Sequence, residues 1–133
     1  MNLVFDANAL IAYLEDEQGG GLVEALLRDH NNACFVHAAN LCEVYYGARR
    51  GHSEQAAQES VSILRETGLV TREDMDDDFW QEAGRIKADL RRISLADCFC
   101  AVLAKRVEGA VVTADQEFKP LVNKAGYEIT FIR

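Results

Sequence analysis

The sequence lacks the features that mark several common classes of protein. Its four cysteines, Cys34, Cys42, Cys98 and Cys100, form no Cys-x-x-Cys pair, and this spacing argues against a zinc site. No apolar run approaches the roughly 20 residues that a membrane-spanning helix needs. The chain begins Met-Asn-Leu-Val-Phe-Asp, without the basic leader of a signal peptide. These absences predict a cytoplasmic protein with reduced, buried thiols and no membrane association.

The sequence also has fewer basic than acidic residues. Lys and Arg number 14 against 22 Asp and Glu, so the net charge is −8. Charge alone argues against a nucleic-acid-binding protein, because such proteins usually present a basic surface. A metal-binding cluster of acidic residues would account for part of the same imbalance, so the charge does not decide the question.

The length and the apolar pattern predict one α/β domain. A chain of 133 residues, 49% of them hydrophobic, is near the usual domain size and can bury a core without disulfides. Apolar strand-like runs alternate with amphipathic helical segments, which predicts an α/β/α sandwich with a mostly parallel central sheet spanning residues 1–133. The predicted strands cover residues 3–6, 33–37, 69–70, 110–113 and 127–132. The predicted helices cover 9–14, 22–29, 38–49, 54–65, 73–91 and 95–107, the last one capped by Ser94. A short helix with Pro120 in its first turn is predicted to end at Gly126.

Local signals fill in the connections. Asn8 is suited to cap the first helix. Gly19-Gly20-Gly21 lacks the Lys-Ser/Thr of a phosphate-binding loop and is predicted to be a flexible break. The acidic run at residues 74–78 is interpreted as a solvated helix start, since helix dipoles favour acids there. A metal site at His37 and Cys42 is a weaker alternative.

Acidic residues stand at unusual places in this pattern. Asp6 closes an apolar run, Asp97 is the only charged side chain between Leu95 and Ala104, and Asp115 follows the apolar run at residues 110–113. A carboxylate among apolar neighbours loses hydration at a cost of several kcal/mol or shifts its pKa. Carboxylates that meet at one point are usually held together by a divalent cation.

Each of these positions also has an ordinary structural explanation. Asp6 can cap a helix or form a turn, and Asp115 can cap the turn that follows it. Ser94 and Asp97 fit a capping box, in which the acid returns a hydrogen bond to the capping residue. Glu43 lies opposite the apolar stripe of its helix, so a helical wheel places it on the surface. The residues by themselves leave both interpretations open.

Four segments resemble the motifs of the PIN domain. They read Phe5-Asp6-Ala7-Asn8-Ala9-Leu10, Asn40-Leu41-Cys42-Glu43-Val44 followed by Gly47-Ala48-Arg49, Ile93-Ser94-Leu95-Ala96-Asp97-Cys98, and Val112-Thr113-Ala114-Asp115-Gln116-Glu117-Phe118. Their order and spacing, and the chain length, resemble the VapC-type toxins of toxin–antitoxin pairs. The resemblance implies that Asp6, Glu43, Asp97 and Asp115 form a catalytic acidic metal site, with Asn8, Thr113 and Ser94 as supporting polar groups.

The resemblance also implies an activity. The expected function is that of an endoribonuclease dependent on Mg²⁺ or Mn²⁺, cutting tRNA or another structured RNA, inhibited by a cognate antitoxin and forming a homodimer. We hypothesise that Arg49, Arg50, Arg91 and Arg92 contact the RNA backbone; the alternative is that they are ordinary surface charges.

Two other classes of protein remain as competing interpretations. A non-catalytic PIN-like module would bind RNA or protein without cutting, although the presence of all four acids argues against it. A signalling receiver domain also carries acids at strand ends, but it needs a pair of acids after the first strand. Here a single acid, Asp6, follows that strand.

Overall fold

A computed structural model describes residues 1–133 as a five-stranded sheet with helices on both faces. The strands are β1 (Asn2–Phe5), β2 (Ala33–His37), β3 (Val70–Arg72), β4 (Ala110–Thr113) and β5 (Ile129–Phe131). The helices are α1 (Ala7–Leu14), α2 (Gly20–Arg28), α3 (Ala38–Gly51), α4 (Glu54–Glu66), α5 (Asp77–Asp89) and α6 (Leu95–Arg106), and a 3₁₀ helix spans Gln116–Leu121. None of the helices is long and apolar enough to cross a membrane.

The sheet has the strand order β3-β2-β1-β4-β5, and every neighbouring pair is parallel. The chain moves outward from β1 to β3 and then returns to the other side of β1 with β4. The direction in which strands are added to the sheet therefore reverses between β1 and β4, and this position is the switch point of the sheet. In open parallel sheets the crevice beyond the carboxyl ends of such neighbouring strands is where ligands bind. The predicted α/β class is confirmed, and the sheet is entirely parallel.

Strand β1 separates two halves of the core. Leu3 and Phe5 pack with α1 to α4 on one face, whereas Val4 packs with α5 and α6 on the other. Such two-sided burial is typical of strands in parallel sheets. Helix α6 is buried along most of its length, including Asp97 in its first turn. This burial explains why α6 is apolar around its whole circumference.

The beginning of α1 differs from the prediction. Asp6, rather than Asn8, is the N-cap, and its Oδ1 accepts a hydrogen bond of 2.8 Å from the backbone N–H of Ala9. The helix thus starts directly after β1, and Asn8 lies inside its first turn. The same carboxylate that closes the strand begins the helix.

The triple glycine is a tight connection and not a flexible break. Gly20 and Gly21 are the first residues of α2, and Gly19 has a φ of 91°, which glycine adopts without the steric cost that other residues pay. A Cβ atom on Gly20 would lie 2.3 Å from the carbonyl oxygen of Ala12. The missing side chain therefore lets α2 approach α1 closely.

The acidic run before α5 is only partly a solvated helix start. Helix α5 begins at Asp77 and not at residue 73, because the preceding acids are held by arginines. Arg72 donates two hydrogen bonds of 2.9 Å to Asp74, and Arg106 donates to both Asp74 and Asp76. These bonds lower the pKa of Asp74, and Arg106 lowers that of Asp76 to about 2.

Two predictions about the cysteines and histidines are also revised. His37 is buried, accepts a hydrogen bond from the N–H of Ala39 through Nδ1, and donates through Nε2 to the carbonyl of Asp74. Neither ring nitrogen is left for a metal ion, which argues against a site at His37 and Cys42. Cys42 is exposed, whereas the other three thiols are buried as expected.

Arg106→Gln is expected to lower the Tm by about 2–5 °C, because it releases Asp76 from a paired guanidinium and removes one of the two arginines that hold Asp74. The folded-state pKa values of Asp74 and Asp76 are depressed, so this stabilisation is present above their ordinary value of 3.8 and is lost as the pH falls towards about 2. Thermal unfolding of both proteins from neutral pH downwards should show the difference narrowing in acid.

Arg28→Gln is the matched control for this experiment. It breaks an exposed pair with Glu24, in which the two side chains are 61% and 48% exposed, and such pairs contribute little. Equal Tm losses in the two variants would contradict a special role for Arg106.

Candidate active site

Asp6 is fixed at the point where the winding of the sheet reverses. It follows β1 directly and is completely buried. Its Oδ1 caps α1, and its Oδ2 accepts a hydrogen bond from the hydroxyl of Thr113 at the end of β4. Because both oxygens are engaged, the carboxylate has a single orientation and joins the two strands that flank the crevice.

Thr113 connects a second acid to the first. Its Oγ1 accepts a hydrogen bond of 2.8 Å from the backbone N–H of Asp115. Asp115 in turn caps the 3₁₀ helix, with its Oδ1 2.8 Å from the N–H of Glu117. The structural roles considered for Asp6 and Asp115 are therefore real, and they set the positions of the two carboxylates.

Asp97 comes to the site from the first turn of α6. Ser94 caps this helix through its Oγ, which lies 3.1 Å from the N–H of Asp97. The carboxylate of Asp97 returns no hydrogen bond to the N–H of Ser94, so only half of the expected capping box forms. The Asp97 carboxylate is buried, with 6% of the residue exposed, and the Ser94 side chain is the one hydrogen-bonding group that lowers its pKa.

Glu43 differs from the helical-wheel prediction of a surface residue. It is half-buried, because α3 packs against α6 as well as against α4 and α1. The wheel identified one apolar contact face and could not show the second neighbour. The packing therefore places Glu43 near enough to Asp115, Asp6 and Asp97 for their charges to interact, and its role in a metal site stays a prediction.

Asp6, Glu43 and Asp97 lie close enough to acidic neighbours for the negative charges to raise their pKa values. Burial raises the pKa of Asp6 to about 7, and the negative charges of Asp115 and Glu43 add to the effect, although hydrogen bonds from Thr113 and Ala9 oppose it. Burial, followed by repulsion from the other three acids, raises the pKa of Asp97 to about 8. Burial and Asp115 also raise the pKa of Glu43. The site therefore holds more negative charge than the protein alone compensates.

The donor set of this site fits a hydrated divalent cation. Carboxylate oxygens suit Mg²⁺ and Mn²⁺. No three of the acidic, His or Cys side chains converge tightly enough to form a ready-made cage. Mg²⁺ commonly binds through one or two carboxylates and keeps several waters, so a complete cage is not required. The buried Oδ1 of Asn40, on the helix of Glu43, has no hydrogen-bond partner and is the kind of acceptor that such a water can satisfy.

The four arginines considered for RNA contact fall into two pairs. Arg49 forms an ion pair with Glu54 at 2.9 Å, and Arg50 lies over the ring of Tyr46. Arg91 and Arg92 are exposed, and their guanidinium groups have no partner in the structure. They occupy the short connection between α5 and α6, directly before the turn that carries Asp97.

One buried polar residue on the helix of Glu43, Asn40, was not among the predicted site residues. Asn40 appears in the second PIN-like motif, but no role was inferred for it. The signal was a polar side chain in the first turn of a helix whose neighbour, Leu41, is buried. Its burial depends on α6, which follows more than 50 residues later in the chain.

The fold and the acidic residues together define the class of this protein. It is an entirely parallel α/β domain with acidic side chains at the switch point of its sheet. The chain belongs to the PIN domain family, whose model matches residues 3–122. No curated protein matches it in sequence.

Solved structures with the same fold cover nearly the whole chain. A chain of the VapBC2 complex from Rickettsia felis, bound to a DNA fragment from its promoter, has a TM-score of 0.73 and 17% identity over 98% of each chain. DNA-bound VapBC from Salmonella typhimurium has a TM-score of 0.72 and 18% identity, covering 100% of this chain and 99% of that one. VapC20 from Mycobacterium tuberculosis, described as a sarcin-ricin loop cleaving toxin, has a TM-score of 0.70 and 17% identity over 90% and 94%. At these identities the similarity concerns the fold.

Proposed function

We propose that this protein is a VapC-type toxin, a cation-dependent endoribonuclease that hydrolyses phosphodiester bonds of structured RNA in the cytoplasm. The main support is the meeting of four carboxylates from distant parts of the chain, Asp6, Glu43, Asp97 and Asp115, beside the switch point of a PIN-domain sheet. The similarity of the fold to VapC20, a sarcin-ricin loop cleaving toxin, supports the same class of activity.

The side chains have distinct roles in this proposal. Asp6, Glu43 and Asp97 hold the cation, with Asp115 acting through water or helping to bind a second ion. Thr113 keeps the Asp6 carboxylate in place. Asn8 and Ser94 are the supporting polar residues of the first and third motifs. A bound Mg²⁺ or Mn²⁺ supplies a Lewis acid that polarises the phosphate and acidifies an attacking water. The acids exclude other anions from the cleft until the cation compensates their charge.

RNA cleavage is the direct test. End-labelled total tRNA and ribosomal RNA are incubated with the purified chain in Mg²⁺, in Mn²⁺ and in EDTA. Discrete cuts that need the cation and disappear in Asp6→Asn support the nuclease. Asp78→Asn, which removes an exposed acid from the start of α5, should cut like the wild type. Absence of cutting together with absence of Mn²⁺ binding would favour a non-catalytic binding module.

Arg91 and Arg92 are expected to supply part of the RNA affinity. Each phosphate contact contributes about 0.7–0.9 to the slope of log K against log salt, so Arg91→Ala/Arg92→Ala should flatten the slope by about 1–2. Binding to a catalytically silent Asp6→Asn background, measured at several salt concentrations, gives this slope.

A double variant of matched charge controls for the loss of two positive charges. Arg28 and Arg65 lie in the last turns of α2 and α4, at the opposite edge of the sheet from the acids. Arg28→Ala/Arg65→Ala should leave the slope close to that of the parent. If both double variants reduce the salt slope equally, the overall charge of the protein attracts the RNA, and the connection before α6 has no special role.

The proposal includes two protein partners. A cognate antitoxin is supported by the similarity to chains of VapBC complexes from three bacteria. It would block access to the acidic cleft and so keep the nuclease inactive. A homodimer is the assembly that we expect for the free protein, and light scattering of the purified chain measures it.

A further inference from the structure

Asn40 is the one side chain that joins the two helices carrying Glu43 and Asp97 by a hydrogen bond. It is completely buried in the first turn of α3, and its Nδ2 donates to the carbonyl of Ala96 in the first turn of α6 at 3.0 Å. Ala96 directly precedes Asp97. Glu43 is three residues after Asn40, on the same side of α3, because residues three apart are neighbours on a helix.

The orientation of the Asn40 amide is settled by its partner. A backbone carbonyl can only accept a hydrogen bond, so the NH₂ group must face Ala96. The Oδ1 atom consequently points elsewhere, and it is buried without a partner. An unpaired buried acceptor destabilises the fold, and an apolar residue of similar size would avoid this cost.

The position of this unpaired oxygen suggests what it binds. Asn40 itself bridges the first turns of two helices, one turn from Glu43 on α3 and in contact through Nδ2 with the residue before Asp97 on α6. The acids do not form a closed cage, so a cation held among them retains waters that need acceptors. The Oδ1 atom is an acceptor that the protein itself leaves unused.

Resting on the proposed function, we infer that Asn40 is a positioning residue of the cation site and acts through both ends of its amide. The NH₂ group fixes the first turn of α3 against that of α6 and so sets the separation of Glu43 and Asp97. The carbonyl oxygen accepts a hydrogen bond from a water of the hydrated cation. Neither end touches the reacting phosphate.

The test is the affinity of the full chain for Mn²⁺, measured by the electron paramagnetic resonance signal of the unbound ion. Asn40→Leu keeps much of the volume and removes both polar ends. It should weaken Mn²⁺ binding by about 10-fold or more, the range seen when groups that orient metal ligands are removed. In EDTA the same variant should be at least as stable as the wild type, because an unsatisfied buried oxygen is gone.

Asn32→Ala is the matched control. Asn32 also donates through Nδ2 to a backbone carbonyl, that of Leu26, at 3.1 Å, but it lies just before β2, at the opposite edge of the sheet from the acids. Its loss should leave Mn²⁺ affinity within about twofold of the wild type. Asn40→Ala adds a second measurement: it should lose both stability and affinity, because it also leaves a cavity.

The outcomes separate this inference from the proposed function. If the wild type binds Mn²⁺ and Asn40→Leu binds it equally well, Asn40 is only a structural residue and the inference is wrong. If Asn32→Ala weakens binding as much as Asn40→Leu, the effect is a general one and the inference also fails. If the wild type binds no Mn²⁺, both the proposed cation-dependent nuclease and the inference about Asn40 are wrong.

Discussion

Asp97→Asn is expected to reduce RNA cleavage by at least about 100-fold, because even residues that only orient metal ligands contribute 10–100-fold. The same substitution should make the cation-free protein more stable. Asp97 is buried beside three other acids, and its pKa of about 8 shows that the folded protein holds the charged form at a cost. An amide has nearly the same shape and carries no charge.

The stability gain should depend on pH in a definite direction. The folded-state pKa of Asp97 is raised above its ordinary value of 3.8, so the carboxylate destabilises the fold increasingly as the pH rises from about 4 to about 8. One pKa unit corresponds to about 1.4 kcal/mol, so a Tm increase of at least about 3 °C is expected near pH 8. The increase should fade towards pH 4.

Cleavage assays and thermal unfolding in EDTA measure the two effects on the same preparations. Asp89→Asn is the control, because Asp89 is an exposed acid at the end of α5 and lies outside the acidic cluster. It should change neither the rate nor the Tm. A less stable Asp97→Asn near pH 8 would contradict the electrostatic description, and wild-type cutting by this variant would remove Asp97 from the site.

The stabilising effect of Mn²⁺ is expected to be much larger at about pH 8 than at about pH 5. Near pH 5 both Asp6 and Asp97 carry protons, since their pKa values are about 7 and about 8, and a cation must displace these protons to bind. Near pH 8 Asp6 is largely charged and Asp97 is losing its proton, so the acids repel one another and bind the cation at a much smaller proton cost. A ligand at 100 times its Kd stabilises by about 2.7 kcal/mol.

Tm values in EDTA and in Mn²⁺ at the two pH values provide the measurement. Without a cation the Tm should fall between about pH 5 and about pH 8, and Mn²⁺ should restore it at the higher pH. The pairs of Asp74 and Asp76 with Arg106 do not interfere, because their carboxylates have depressed pKa values and titrate in stronger acid.

An Asp6→Asn/Asp97→Asn double variant should show little pH dependence in this range and little response to Mn²⁺. A cation-free wild-type Tm that rises from pH 5 to pH 8 would show that other groups dominate the linkage. An equal Mn²⁺ effect at both pH values would show that the ion binds away from the buried acids.

Three of the four acids were identifiable from sequence because each interrupts an apolar pattern. Asp6 and Asp115 stand beyond strands β1 and β4, and the alternation of strands and helices was enough to place those strands in a parallel sheet. Glu43 is different, because a helical wheel describes one helix and contains no information about α6. Only the motif resemblance assigned Glu43 to the metal site, which stays a prediction, and the packing of α3 against α6 brings its charge near the other acids.

Capping residues and charged runs were harder to interpret because neighbouring candidates compete. Asp6 and Asn8 are both good N-cap residues, and the choice depends on where β1 ends. The acids at residues 74–78 look alike in sequence, but Arg106 holds only Asp74 and Asp76. That difference comes from an arginine about 30 residues away.

The sequence by itself determined the domain, the alternation of elements and the apolar strand that puts Asp6 at the edge of the sheet, because these depend on hydrophobic periodicity within short segments. The tertiary structure alone decided which polar atoms meet. Thr113 contacts Asp6 across 107 residues, and Asn40 contacts Ala96 across 56. Hydrogen bonds and charge repulsion act over a few ångströms, so they depend on how distant segments pack, which no local pattern of residues records.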